Sequence, residues 1–159
     1  MGNNVMLAKD SISAALAQCF VTVGERRYNL MTAIKLEAKF KKNKKEVPIL
    51  GKTGKGHKSV SWSGTGSCTM HYNSSIFREM MLNFKDTGED VYFEMQIIND
   101  DPSSAAGSQE ITLLQCNIDG GVLAKFDAES DSYLDEDLDF TFDDFDMPKK
   151  FQEIIGLVA

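Results

Sequence analysis

The sequence predicts a mainly β, α+β domain, and two patterns support this prediction. Apolar and polar residues alternate in several segments of the chain, which is the period of a half-buried β-strand. One segment, from Ile76 to Phe84, instead has its apolar residues at helical spacing. With 159 residues and a hydrophobic fraction of 42%, the chain is long enough to bury a core, so we expect a single domain over residues 1–159.

Alternation is strongest in residues 28–40, 58–72 and 134–143, and further strands are predicted at 91–97 and 111–118. In the second segment the odd positions form a row of hydroxyl side chains opposite the apolar face. In the third segment Leu and Phe alternate with carboxylates, so we expect these acidic residues to lie on a strand face. The hydroxyl row comprises Ser59, Ser61, Ser63, Thr65, Ser67 and Thr69, and the acidic row comprises Asp135, Asp137, Asp139 and Asp143.

Serine and glycine residues mark the ends of the predicted helix. Ser74 or Ser75 is suited to the N-cap, and Gly88 follows the last periodic residue. The apolar stripe of this helix predicts that it closes one end of the sheet core.

Four other segments have features of turns, loops or arms. The Gly120–Gly121 pair predicts a turn that leads into another alternating strand. Residues 41–58 are predicted to be a basic loop with an apolar centre. We expect an N-terminal arm over residues 1–17 and a C-terminal helix or arm over residues 148–159.

Charge is sorted into blocks along the chain. Lys35 to Lys58 includes nine lysines and two glutamates, whereas Asp127 to Asp146 includes ten acidic residues and neither Lys nor Arg. A soluble monomer usually intersperses its charges, because a field of one sign repels itself and attracts partners. The sorting therefore predicts ordered contact with other copies of the chain or with a partner.

Several functional classes are disfavoured by the same residues. A net charge of −7 argues against general affinity for nucleic acid. The segment 51–58 suggests a phosphate loop, but Glu46 stands where the motif needs glycine, and the other frame has His57 in place of lysine. No nucleophile, base and orienting carboxylate stand out, so we expect neither an enzyme nor a cofactor.

Metal sites and membrane segments are also disfavoured. Carboxylates in residues 127–135 match several calcium-loop positions, but Leu138 replaces the bidentate glutamate. Cys68 and His71 are three residues apart on a strand, which directs them to opposite faces. The three cysteines lack close pairing and are expected to be reduced, packed thiols. No segment has the length of a signal h-region or of a membrane span.

Six short motifs follow one another along the chain. They are Asn43 to Gly51 (NKKEVPILG), Gly56-His57-Lys58, Gly64-Thr65-Gly66, Tyr92-Phe93, Asp100 to Ser104 and Thr141 to Pro148. Their order resembles that in the tail tube proteins of PBSX-like contractile phage tails. The resemblance covers about residues 36–153, and the Gly-His-Lys motif and the acidic Phe-rich motif are together its most specific parts. The first seventeen residues do not match the pattern.

The resemblance implies a β-sandwich or barrel with one flanking helix, assembled into hexameric rings around one continuous inner β-barrel. Stacked rings would form the rigid inner tube of a contractile phage tail or of an R-type bacteriocin and conduct DNA or ions. The implied partners are further copies of the chain, the tail sheath protein, baseplate and tail terminator proteins, and DNA in transit, with no membrane. The protein would be made in the bacterial cytoplasm and incorporated into a virion tail or bacteriocin particle.

Two hypotheses assign surfaces to this assembly. The basic loop is an inter-subunit stacking element that reaches an acidic surface on a neighbouring subunit or ring. The hydroxyl row and the acidic row are alternative linings of the lumen, and the acidic row is also a candidate complement of the loop. The stacking residues are Lys44, Lys45, Val47, Ile49, Leu50, Lys52, Lys55 and Lys58.

Two other interpretations remain open. The chain would alternatively be the tube protein of a type VI-like contractile injection system, which shares the implied architecture. A nucleic-acid-binding module would instead use the lysine-rich loop, but that loop lacks the interleaved aromatic residues that stack on bases.

Overall fold

Antiparallel strands form one strongly bent sheet in the computed structural model, which describes residues 5–158. The strands are β1 (Ala17–Val23), β2 (Arg26–Asn29), β3 (Ala33–Val47), β4 (Gly56–His71), β5 (Phe93–Asp100), β6 (Ser108–Gly121), β7 (Asp135–Phe142) and β8 (Asp144–Lys149). One α-helix, α1 (Ile76–Thr87), follows β4, and a 3-10 turn covers Ala8–Asp10. The predicted mainly β architecture is confirmed, and residues 5–158 do not close the sheet into a barrel.

Strand β6 belongs to both halves of the bent sheet. Along one side it pairs with β8 as far as Leu114 and with β7 from Asn117 onward. Between these residues Gln115 has a φ of 55°, a left-handed conformation that non-glycine residues rarely adopt. The order of one half is β2-β1-β5-β6-β8, and that of the other is β6-β7-β4-β3. We call the second half the β3–β7 sheet.

The hydrophobic core lies between the two halves. Val21 and Met95 enter it from one side, and Cys68 and Phe140 enter it from the other. Burial alternates along β7, because Leu138, Phe140 and Phe142 are buried while Asp135, Asp137 and Asp139 are exposed. The predicted arrangement of Leu and Phe opposite the carboxylates is therefore confirmed for Asp135, Asp137 and Asp139. Asp143 lies beyond the end of β7.

Helix α1 has the predicted ends. Ser75 is the N-cap residue, and Gly88 adopts the left-handed conformation with its N–H donating to the carbonyl of Phe84 at 2.8 Å. The helix buries Phe77 and Met80, and the ring of Phe77 lies 5.8 Å from that of Phe93. As predicted from its stripe, the helix covers part of the sheet core.

Two glycines in β4 leave room for aromatic rings of β7. Gly64 is opposite Phe142 in the antiparallel register, and Gly66 is opposite Phe140. A β-carbon added to either glycine would lie 2.3 Å from the nearest atom of the facing ring. The glycines therefore let each ring lie across the neighbouring strand and fill the core.

The structure corrects three predictions of local structure. Residues 41–58 are not a loop, because β3 and β4 stay paired as far as Val47 and Gly56 and leave only residues 48–55 unpaired. The Gly120–Gly121 pair does not turn the chain, because β6 continues through both residues and a loop over 122–134 follows. A register shift of β6 against β7 lies between Ile118 and Gly120.

The C-terminal helix is also not formed. Pro148 lies within β8, and no helix follows it in residues 150–158. Ile155 and Val158 are largely exposed, so their apolar stripe packs on no surface formed by residues 5–158. A helix of this length needs such packing, because helix nucleation is costly. The alternative of an arm stays a prediction.

All three cysteines are free and buried, as the sequence predicts. Burial raises the pKa of Cys19 and of Cys116 to about 12 and that of Cys68 to about 11. The nearby charge of Asp137 adds to the pKa rise at Cys68.

We predict that Gly66→Ala lowers the free energy of unfolding by at least about 2 kcal/mol, because the new methyl group collides with the buried ring of Phe140. Thr65→Ala is the matched control, since Thr65 is exposed and the cost of its replacement is below about 1 kcal/mol. Denaturant midpoints of the three proteins measure the difference. Equal midpoints for the two variants would show that the glycine is not required.

We also predict that the folded protein does not react with a thiol-specific disulfide reagent at pH 8, because its buried thiols are protonated there. Unfolding in denaturant should release three reactive thiols. The unfolded thiols ionise near pH 9.0, whereas the folded ones keep their protons to about pH 11 or 12. Stability should therefore fall as the pH rises above 9. Rapid labelling of the folded chain would contradict this prediction.

Candidate assembly surfaces

Strands β3 and β4 form a long hairpin that extends beyond the rest of its sheet. Their pairing runs from Ala33 opposite Met70 to Val47 opposite Gly56. Strand β7 pairs with β4 only as far as Gly64, so the outer part of β4 has no second partner strand among residues 5–158. The hairpin therefore projects from the domain as a two-stranded arm.

The tip of this hairpin is both apolar and cationic. Leu50 is fully exposed, and Val47 and Ile49 are about two-fifths exposed. Ile49 packs over Gly56, where a β-carbon would lie 3.0 Å from its Cδ1. The structure thus places the predicted stacking residues together. Only one of the predicted stacking lysines forms an ion pair in the described part of the chain: Nζ of Lys55 lies 3.4 Å from Oε2 of Glu46. The other predicted lysines are Lys44, Lys45, Lys52 and Lys58.

Four aromatic rings hold the hairpin where it leaves the sheet. Phe40 of β3 stacks on Trp62 of β4 with ring centroids 5.0 Å apart. Phe145 of β8 meets Trp62 edge to face at 5.7 Å, and Phe142 lies 6.2 Å from the same ring. Such pairs add to the stability gained by burial and restrict the orientation of the arm.

From Ser61 to Thr69 the hydroxyl row lies on the same face of the β3–β7 sheet as the acidic residues of β7. Ser59 departs from the predicted row, because the register shift at Val60 places it opposite Lys44, on the other side of the sheet. Thr69 is opposite Asp137 in β7 and opposite Lys35 in β3. Ser67 is likewise opposite Asp139 on one side and Glu37 on the other. Residues directly opposite one another in an antiparallel sheet point to the same side. The two linings proposed as alternatives are therefore neighbouring strands of one polar face. We call it the polar face.

Charge on the polar face changes from strand to strand. Strand β3 contributes Lys35, Lys39 and Lys41, with Glu37 among them, while β4 contributes hydroxyl groups and β7 contributes carboxylates. The hydroxyl of Thr69 donates to Oδ1 of Asp137 at 2.7 Å. The place of these lysines beside the hydroxyl row follows only from the strand register.

Two edges of the β3–β7 sheet have no partner strand in the described residues. Strand β3 is the last strand in the order, and its outer edge is free over Ala33–Val47. At the other end, β6 pairs with β5 only as far as Cys116, so its edge is open over residues 117–121. Free edges of this kind bind other strands.

An open groove of about 1050 Å³ lies against the apolar side of β3. Leu36, Ala38 and Phe40 line one wall, and Ile97 and Ile111 line the facing wall. The apolar alternation of β3 was predicted to face a core. It does face inward, but Phe40 stays about half exposed because no part of residues 5–158 covers this groove.

The N-terminal segment is docked on the loop that joins β5 and β6. The carboxylate of buried Asp101 accepts the N–H of Ser13 at 3.0 Å and the hydroxyl of Ser103 at 2.7 Å. These hydrogen bonds lower the pKa of Asp101, and the bond from the Ser103 hydroxyl has the largest effect. The stability that they provide is present at neutral pH and is lost as the pH falls through the lowered pKa. The sequence left the role of this segment open, and residues 1–4 lie outside the described residues.

A buried ion pair anchors the loop over residues 122–134. Nη1 of Arg78 lies 2.7 Å from Oε2 of Glu136, which is almost fully buried on the core side of β7. Arg78 also donates to the carbonyls of Ser74 and Val122, and its guanidinium lies 4.4 Å from the ring centroid of Tyr72. Motif reasoning missed this pair, although Glu136 is an acidic residue on the otherwise apolar, buried side of β7.

The described residues show no group of three or more side chains suited to bind a metal ion. Over residues 5–158 there is also no helix with the length and apolar character to cross a bilayer.

We predict that Glu136→Ala lowers the free energy of unfolding by about 3 kcal/mol, because it leaves a largely buried guanidinium without its counter-ion. Asp137→Ala is the matched control on the adjacent residue. Asp137 is exposed and its loss removes one hydrogen bond, which is worth about 1 kcal/mol. Thermal and denaturant unfolding of both variants test the prediction, which fails if Asp137→Ala is the more destabilised protein.

Known proteins resemble this chain in both sequence and fold. The sequence profile of the family described as "Phage tail tube protein" matches residues 4–149. The match begins within the N-terminal segment that the motif order did not cover. The chain is 36% identical over 146 residues to the Phage-like element PBSX protein XkdM of Bacillus subtilis (strain 168), which covers 92% of this chain and 96% of that protein.

Solved structures share the fold at low sequence identity. A chain in the six-fold symmetrised baseplate of the anti-feeding prophage superposes with a TM-score of 0.66 at 10% identity, over 86% of this chain and 95% of that one. A chain in the extended sheath-tube complex of the extracellular contractile injection system PVC gives a TM-score of 0.65 at 10% identity, over 88% and 93%. With its sequence profile, its relative and its fold in agreement, the chain belongs to the phage tail tube protein family.

Proposed function

We propose that this chain is a structural, non-catalytic subunit that forms hexameric rings, and that the rings stack into the inner tube of a contractile tail. One observation carries the proposal. The β3–β7 sheet has a polar face on one side, an uncovered apolar groove on the other, and unpaired edges along β3 and along residues 117–121 of β6. A sheet with this combination is incomplete in the monomer and becomes complete when copies join edge to edge.

Lateral joining would use β3 and the end of β6. The unpaired N–H and C=O groups of β3 would pair with the open edge of residues 117–121 in the neighbouring copy, extending the sheet from subunit to subunit. The same neighbour would cover the groove beside Leu36 and Phe40, since the groove is continuous with the free edge. Repetition of one head-to-tail contact closes a ring when the rotation per subunit divides a full turn. Six subunits agree with the symmetry used for the similar baseplate chain.

The polar face would line the lumen of the ring. Hydroxyl groups occupy its centre, and three lysines of β3 nearly balance four carboxylates. These residues are Lys35, Lys39 and Lys41, and Glu37, Asp135, Asp137 and Asp139. An excess of lysine would hold phosphates by releasing their counter-ions, whereas a balanced, hydroxyl-rich wall binds them weakly. This wall suits the passage of DNA in a phage, or of ions in a headless particle.

The outer surface would meet the other tail proteins. The similar PVC chain comes from a sheath-tube complex, and the similar anti-feeding prophage chain comes from a baseplate. By analogy we propose that this tube contacts a sheath, a baseplate and a terminator, and that the chain is made in the bacterial cytoplasm before it enters the particle.

Electron microscopy of the concentrated protein in negative stain tests the assembly. We expect rings with a central hole, and tubes at the highest concentrations. A protein that stays monomeric and shifts DNA in a gel at physiological salt would instead be a nucleic-acid-binding module.

Labelling of an added cysteine tests the assignment of the lumen. Ser67→Cys places a thiol on the polar face, and Lys85→Cys places one on the exposed side of α1 as the control. Because the native thiols are buried, a maleimide attached to an antibody should label only the added cysteine. We expect it to label both monomers, but in tubes only the Lys85→Cys protein. Equal labelling of both tubes would show that the polar face is not the lumen wall.

A further inference from the structure

The hairpin tip and the loop before β7 lie at opposite ends of the same sheet. His71, at the end of β4, is opposite Asp135, at the start of β7, and the N–H of Tyr72 donates to the carbonyl of Leu134 at 3.1 Å. The hairpin tip lies at the other end of β4, sixteen residues away, which is about 50 Å at the rise of an extended strand. A subunit therefore presents the tip at one end and the loop over residues 122–134 at the other.

The tip has apolar side chains that nothing in the described chain covers. Leu50 is fully exposed at the end of the hairpin, beside Val47 and Ile49. Lysines surround these residues, with only Lys55 paired to Glu46 in the described residues. A surface with an apolar centre and a cationic rim fits a partner with an apolar centre and an anionic rim.

The loop over residues 122–134 has that complementary chemistry. Phe126 and Tyr133 are each 89% exposed, and Leu123 is 69% exposed. Its charged residues are one lysine, Lys125, and three carboxylates, Asp127, Glu129 and Asp131. Exposed aromatic rings of this size are among the residues that most often anchor interfaces.

The loop is held in place at both ends. Nη1 of Arg78 donates to the carbonyl of Val122 at 3.4 Å, and Nζ of Lys125 donates to the carbonyl of Asp135 at 2.8 Å. The acidic row of β7 has a different orientation, because Asp137 and Asp139 lie on the side of the sheet and not at its end. The loop, and not this row, is positioned to meet the hairpin tip of a copy placed above or below.

We infer that rings of this chain stack through the hairpin tip of one subunit docked on the 122–134 loop of a subunit in the next ring. Leu50 and Ile49 would pack against Phe126 and Tyr133, and the lysines would surround the contact together with the loop carboxylates. The inference rests on the proposed ring assembly and names the two surfaces that join one ring to the next. Because the two surfaces differ, the contact is head to tail and repeats along the tube without limit.

Charge reversal tests the contact with two complementary variants. The tip variant combines Lys44→Glu, Lys45→Glu and Lys52→Glu, and the loop variant combines Asp127→Lys, Glu129→Lys and Asp131→Lys. Each variant alone should form rings that do not stack, because like charges meet at every ring junction. A mixture of the separately purified variants should form tubes again, because each junction then joins surfaces of opposite sign.

A control variant with the same change of net charge as the tip variant separates the effect of charge at the contact from a general effect of net charge. It combines Lys85→Glu, Lys149→Glu and Lys150→Glu, which are exposed lysines outside the tip, and should stack like the unmodified protein. Leu50→Ser tests the apolar part and should raise the protein concentration needed for tubes by at least about tenfold. The control Leu157→Ser, at another exposed leucine, should leave that concentration unchanged.

The outcomes distinguish this inference from the proposed function. Rings without tubes for each charge variant, and tubes from their mixture, support the contact. Tubes from the tip variant or from the loop variant alone overturn it, as does failure of the mixture while the control stacks. If the unmodified protein forms neither rings nor tubes, the proposed function fails and the contact fails with it. Circular dichroism and unfolding midpoints verify that each variant is folded.

Discussion

The pairing of β4 on both sides is the constraint on which the rest of the structure depends. Strand β4 joins β3 to β7, and its glycines accept the rings of Phe140 and Phe142 from the neighbouring strand. This register fixes which side chains of β3 and β7 share a face with the hydroxyl row. It also sets the length of the hairpin, because β3 is paired beyond the point where β7 ends. The core, the polar face and the projecting tip are thus consequences of one alignment.

Much of the fold follows from periodicity in the sequence, because burial on one side of a strand leaves a period of two. The hydroxyl row, the acidic row of β7 and helix α1 with its Gly88 end are visible in this way. Local rules failed where pairing between strands, or packing on another surface, decides the structure. A lysine-rich segment was predicted to be a loop, yet it is a strand, because the hydrogen bonds of a hairpin outweigh the low strand propensity of lysine. The apolar stripe near the C-terminus would form a helix only if it packed against another surface.

The assembly surfaces were only partly predictable for the same reason. The residues of the tip are recognisable from charge and hydrophobicity, and the structure places them together. That the hydroxyl and acidic rows lie on one face depends on the register between β4 and β7, which single-strand patterns do not contain. The loop over residues 122–134 was absent from the predicted sites, because its exposed Phe126 was taken as part of a strand. The Arg78–Glu136 pair that anchors this loop joins residues 58 positions apart.

The separation of the cationic tip from the 122–134 loop has a consequence for growth. Any linear polymer built from such a subunit has two chemically different ends, one showing lysines and leucine and the other showing aromatic rings and carboxylates. Addition at the two ends would then proceed at different rates, and a factor that starts the polymer cannot also stop it by the same contact. A nucleating partner would have to imitate one end of the subunit and a capping partner the other. Directionality is in this way a property of the single chain.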